Sequence, residues 1–179
     1  MIGGPTTVAF HMVPFSSSEV RRYTPHPLSG DFLVSASPPP KGPFQLQERV
    51  RWSHCDPLGI IYYGAYIGFF EAAEHEMFRA AGLPYEVMRV QRQVQLPRKA
   101  FTVEFHSPAQ MDELLDIEVA VARIGTTSIT LQFEAYRATD RTHRATASLT
   151  MVCVEKESIT KRPLPDFVKE ALTPYLAPT

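Results

Sequence analysis

Residues 56 to 71 read D-P-L-G-I-I-Y-Y-G-A-Y-I-G-F-F-E, a turn-forming tetrapeptide that runs straight into an apolar, aromatic segment. Asp, Pro and Gly in that order reverse a chain and end any strand before them. From Tyr66 the period changes. Tyr66, Phe69, Phe70, Ala73, Met77, Ala80 and Ala81 recur at steps of three and four, which predicts one long helix of about five turns with a broad apolar face. It begins near Gly64 and stops at Gly82-Leu83-Pro84, because glycine readily leaves the helical conformation and proline cannot continue it.

On the N-terminal side of this segment, Phe44, Leu46, Val50 and Trp52 share one parity while Gln45, Gln47, Arg49 and Arg51 share the other. That alternation predicts a half-buried strand leading into the turn. On the C-terminal side, a short helical piece spans Tyr85 to Gln91, and alternation then takes over. It runs through Phe101–Phe105, Leu115–Val121, Thr127–Ala135 and Ala145–Cys153. Ser107-Pro108, Gly125-Thr126 and Thr139 to Thr142 separate these runs, so they read as a four-strand antiparallel meander with one dry face. Asp166 to Leu176 reads as a short amphipathic C-terminal helix. The fold class is therefore α+β: the long helix has only the dry face of the sheet to bury against. A sheet of this size has edges that need covering, and self-association is the expected remedy.

With 179 residues and 44% hydrophobic content, one core is expected. Residues 1–43 stand apart. They are rich in Ser and Pro and carry no sustained period, so they read as an extended arm whose Val8, Phe10, Val13 and Phe15 can dock on a neighbouring subunit, ahead of one domain over 44–179. The formal charge of -1 comes from interleaved acids and bases, leaving no basic stripe for nucleic acid and no polybasic segment for an anionic membrane. Small molecules and further copies of the chain are the expected partners. Cys55 and Cys153 are the two cysteines, too few for a disulfide framework, and a reducing cytoplasm is the expected compartment. No apolar run reaches membrane length, and the N-terminus lacks the basic start and apolar core of a secretory signal.

His54-Cys55-Asp56 sits just where the strand meets the turn. Neighbours in an extended chain point to opposite faces, so His54 does not activate Cys55 there, and Cys55 reads as a small packing residue. His54 and Asp56 share a parity but make only two ligands, and Glu74-His75-Glu76 is not the spacing of a metal-binding helix, so no metal is expected. Asp56 has two readings on spacing alone. It caps the turn, or its carboxylate works beside the free amides of the helix start.

The run from Asp56 to Glu71, followed by Ala81-Gly82-Leu83-Pro84, closely resembles the hotdog-fold acyl thioesterases of the 4-hydroxybenzoyl-coenzyme A thioesterase type. In that family an Asp-x-x-Gly segment with two branched apolar residues and a Tyr or His leads from the first strand into the central helix. The resemblance covers roughly residues 44 to 160 and implies an antiparallel sheet wrapped around one long helix. It implies hydrolysis of an acyl or aroyl thioester, of coenzyme A or of an acyl carrier protein, without cofactor, by a homodimer or homotetramer. Asp56 would attack the thioester carbonyl or activate water, and the Tyr63 N–H would polarise that carbonyl. Gly59, Ile60, Ile61 and Tyr62 would wall the acyl site, and Tyr66 would line it or pack on the sheet. Glu71 stands where some relatives carry the working carboxylate on the helix. The basic cluster that holds coenzyme phosphates is reduced here to Arg123, and Lys156, Lys161 and Arg162 have two readings, a substitute phosphate site or ordinary solvated charge, of which solvated charge is the preferred one. Two other readings share the fold: an acyl dehydratase pairing His54 with Glu71, and a non-catalytic acyl-thioester binding module.

Overall fold

The structure, a computed structural model, describes residues 42–177. The extended arm expected over residues 1–43 lies outside them except for its last two residues. Strand β1 (Phe44–Arg49) alternates half-buried and exposed side chains as its parity predicts, and Val50 beyond it is fully buried. Trp52 departs from the expectation. Its side chain is 81% exposed, because the chain leaves the strand after Arg49 and enters a 3-10 turn, Trp52–His54, which rotates the next residues off the strand parity.

Helix α1 (Ala65–Ala80) buries Tyr66, Phe69, Phe70, Ala73, Glu74, Met77 and Phe78, while Ala80 is exposed. Gly82 ends it at φ +74, a left-handed conformation that costs a glycine little, and the Leu83 N–H donates back to the Phe78 carbonyl at 2.8 Å. The next turn closes as a π-helix over Val87–Gln91.

Four strands follow: β2 (Arg98–Phe105), β3 (Leu114–Ile124), β4 (Ser128–Arg137) and β5 (His143–Val152). They form one antiparallel sheet with β1 in the order β1-β3-β4-β5-β2. Only β3, β4 and β5 make a meander. The fourth expected member, β2, pairs with β5 at the opposite edge, Val103 facing Ala147. Residues 106–113 are too long and irregular a link for a tight hairpin, and β1 already occupies the edge of β3.

The helix lies on the dry face. The Phe70 ring stands 5.2 Å from that of Phe133 on β4 and 6.3 Å from that of Phe101 on β2, and Leu115, Ile117, Val119, Leu131 and Leu149 complete the layer. Buried Arg144 grips Glu113 with two nitrogens at 2.7 and 2.9 Å, tying the start of β5 to the start of β3. Helix α2 (Asp166–Leu172) and a 3-10 turn, Thr173–Tyr175, close the C-terminus, burying Val168, Leu172 and Tyr175.

Candidate active site

The polar triplet and the apolar run after it form a small hairpin. The Asp56 N–H donates to the Ile60 carbonyl at 3.0 Å, Cys55 pairs with Ile61, and the Tyr62 N–H donates to the His54 carbonyl at 2.8 Å. Gly59 makes the reversal possible at φ +74, where a side chain would be strained. The Asp56 carboxylate does cap this turn, its Oδ1 accepting from the Leu58 N–H at 2.8 Å. One oxygen is thereby occupied, and Oδ2 accepts no hydrogen bond among the described residues.

The hairpin delivers the chain into α1. The Ala65 N–H returns to the Tyr62 carbonyl at 2.9 Å and the Ile67 N–H to that of Gly64 at 3.2 Å. Among the described residues no acceptor takes the N–H of Tyr63, so a donor stands free at the positive end of the helix dipole. Tyr62 and Tyr63 pack against each other with ring centroids 5.0 Å apart, both largely exposed.

Two clefts flank the returning strand of the hairpin. One, of about 340 Å³, is lined by Trp52, Cys55, Asp56, Pro57, Gly59 and Met111. The other, of about 390 Å³, is lined by Ile60, Ile61, Tyr63 and Tyr66 from the hairpin and helix, with Phe105 to Pro108 opposite. Asp56 and Gly59 thus share one cleft, while Ile60, Ile61, Tyr63 and Tyr66 share its neighbour. Tyr66 also packs: its ring stacks 6.0 Å from that of Phe70, and its buried hydroxyl has no partner among the described residues. Burial pushes its phenol up to about 12, against the pull of nearby Arg144.

Lys156 lies elsewhere. It sits exposed in the turn after β5, beyond the end of that strand that pairs with Arg98, whereas the Tyr63 cleft adjoins the end where Ala145 faces Phe105. Seven residues of ladder separate the two ends, roughly 20 Å. His54 serves local structure: its Nδ1 accepts from the Arg51 N–H at 3.1 Å and its ring meets Phe69 edge-on at 4.9 Å. Cys55 approaches the Arg51 carbonyl at 3.6 Å. Glu71 is exposed on α1, 3.9 Å from His75. No group of three or more potential metal ligands gathers among the described residues, and no helix there is long and apolar enough to cross a membrane.

One constellation escaped the sequence reading. Glu74, only 2% exposed, accepts on Oε1 from the Tyr85 hydroxyl and, at 2.7 Å, from Arg98 at the start of β2. Burial first, and then the Glu74 carboxylate, hold the Tyr85 phenol well above its usual range, so it remains a donor. Against the effect of its own burial, Glu74 and Tyr85 hold Arg98 charged. The available signal was an acid falling inside the apolar stripe, four residues after Phe70 and three before Met77.

The sequence and the fold are similar to those of known proteins. The chain is 29% identical over 122 residues to the acyl-CoA thioester hydrolase YbgC of Escherichia coli O6:H1, a match covering 68% of this chain and 90% of that one. Its structure superposes on a 1,4-dihydroxy-2-naphthoyl-CoA thioesterase from Synechocystis with TM-score 0.69 at 19% identity, over 73% of this chain and 96% of that one. The 4-hydroxybenzoyl-CoA thioesterase of Pseudomonas sp. strain CBS-3 superposes with TM-score 0.64 at 24% identity, over 71% and 97%. These likenesses fit a hotdog fold, the sheet-around-helix arrangement described above. The family profile itself matches residues 50–172, from the end of β1 to the end of α2, and with it the chain belongs to the thioesterase-like superfamily.

Proposed function

We propose that this chain hydrolyses an acyl or aroyl thioester, in the first instance of coenzyme A, to the free acid and thiol. The observation that carries the reading is the hairpin of residues 54–62, beside which a carboxylate oxygen and a helix-start N–H, both without hydrogen-bond partners among the described residues, line neighbouring clefts. Acyl transfer needs those two functions. A carboxylate attacks the carbonyl carbon or takes a proton from attacking water, and a fixed donor stabilises the oxyanion that develops. In this reading Asp56 supplies the first and the Tyr63 N–H the second, with Gly59, Ile60, Ile61, Tyr62 and Tyr66 as the walls around the acyl group. The donor at Tyr63 would be worth roughly 3 kcal/mol in the transition state.

The names of the relatives supply the coenzyme A expectation, and an acyl carrier protein remains the second donor class. Lys156 stands at the far end of β5 from Tyr63, so in this reading it would meet the phosphates of an extended coenzyme arm rather than the thioester itself. The dehydratase reading is less favoured, because His54 is engaged by the Arg51 N–H and Phe69, and Glu71 by His75.

The test is thiol release from a panel of aroyl- and alkanoyl-coenzyme A substrates by the parent protein and by Asp56→Asn. Turnover by the parent that falls at least a hundredfold in the variant is the expected result. Undiminished turnover in Asp56→Asn would remove Asp56 from the chemistry. A parent that binds acyl-coenzyme A tightly and never turns it over would favour the binding module.

A further inference from the structure

We propose that Glu74 and Arg98 form the distal end of the acyl site and select acyl groups whose far end carries a hydroxyl or similar hydrogen-bonding group over plain alkyl chains. The inference rests on the thioesterase reading and adds two residues that reading does not use.

Two cavities lie along the seam between α1 and β2. Beyond the Tyr63 cleft, past the stacked rings of Tyr66 and Phe70, lies a second cavity of about 210 Å³. Ile67, Phe70, Phe101, Phe133 and Leu149 give it apolar walls, with Glu71 also on its lining. Its remaining lining is the Glu74–Arg98 pair. Tyr63 and Glu74 are separated by 11 positions along the helix, roughly 16 Å of axial rise, and side chains leaning toward the helix start shorten the span. An acyl group held by its carbonyl at Tyr63 and laid along the seam therefore ends against Glu74.

The polarity of that end is selective. Both donors to Glu74 converge on Oε1, leaving Oε2 without a donor among the described residues. Glu74 itself is on the lining of the cavity, so this oxygen, with no donor among the described residues, stands at its polar end. Arg98 uses one nitrogen on Glu74 and keeps further N–H groups. The cavity thus ends in a free acceptor beside free donors, which matches a hydroxyl, itself donor and acceptor. A methyl terminus in the same place would strip water from a carboxylate and return nothing, which is the source of the discrimination.

The experiment compares kcat/KM for matched pairs from octanoyl- to dodecanoyl-coenzyme A, plain and with a terminal hydroxyl, on the parent, Glu74→Leu and Glu74→Gln. The parent is expected to prefer the hydroxylated member of the best-fitting pair by about tenfold or more, the scale of a hydrogen bond to a charged group. Glu74→Leu should lower turnover of the hydroxylated member and raise that of the plain one. A variant that merely folds poorly lowers both, and Glu74→Gln, which keeps an acceptor and the packing, should fall between parent and Glu74→Leu. Equal rates on both members by the parent, or parallel losses on both in the variants, would overturn the proposal while leaving hydrolysis itself intact. No turnover of any member, nor of any aroyl- or shorter alkanoyl-coenzyme A in the panel above, would instead overturn the coenzyme A thioesterase reading on which the proposal rests.

Discussion

Asparagine at position 56 separates the two roles of Asp56, because its amide oxygen still accepts from the Leu58 N–H while the charge is gone. Asp56→Asn should therefore melt within about a degree of the parent while losing turnover, whereas Asp56→Ala should lose the turn as well and about 1 kcal/mol of stability. Scanning calorimetry beside the thiol assay checks both, and a large drop in melting temperature for Asp56→Asn would mean the charge itself holds the turn. Tyr66 offers a second test at this scale. Its sealed, unpaired hydroxyl is a cost, so Tyr66→Phe should raise stability by about 1 kcal/mol, or about 2–4 °C in melting temperature. The pH dependence has a definite sign. The phenol is raised from 10.0 to about 12 in the folded protein, so the unfolded chain gives up this proton first, and stability that is complete below pH 10 drains away toward pH 12. Tyr66→Phe should flatten that decline in urea midpoints measured across the window, and an unchanged slope would place the alkaline loss on other groups.

The ends of β3 and β5 are joined by charge in a place closed to water, which makes the Arg144–Glu113 pair costly to break from one side. Arg144→Met leaves the Glu113 carboxylate with Arg137, 3.4 Å away, as its remaining ion-pair partner and should cost about 1–3 kcal/mol, while the double variant Arg144→Met with Glu113→Leu should recover part of it. Urea midpoints across the four-member cycle check this, and equal losses in the single and double variants would mean that packing, rather than charge, is at stake. At the level of elements, much of this molecule is readable from sequence. The steps of three and four through Tyr66, Phe70, Ala73 and Met77, and the alternations from Leu115 to Cys153, follow directly from which face meets the core. Trp52 defeated the alternation because a single 3-10 turn breaks a parity without leaving any mark in residue type. The position of β2 was hidden for another reason. Strand pairing is a choice among distant partners, and local periodicity is silent about which edge a strand joins. Glu74 was hidden in the same way, since its partners Tyr85 and Arg98 come 11 and 24 residues later, outside any local window.

For the whole chain, the decisive feature is how much apolar surface one protomer leaves bare around its candidate site. Tyr63 is 70% exposed, Ile67 and Phe105 are each 50% exposed, and Trp52, Leu58, Tyr62 and Met111 are exposed beside the two clefts. Large contiguous patches of this kind mark interfaces. The edge of β2 away from β5 has no strand partner among the described residues, so the same side of the molecule also offers unpaired backbone donors and acceptors. A second copy laid against β2 and the start of α1 would cover both at once. The expectation is a dimer, or a tetramer built from dimers, in sedimentation equilibrium. Phe105→Lys places a charge in this exposed patch beside the edge, and it should shift the species toward monomer. A parent chain that sediments as a fully active monomer would overturn the arrangement, because the seam would then be working open to water. A variant that becomes monomeric with undiminished turnover would confine the second copy to stability and leave the site complete within one chain.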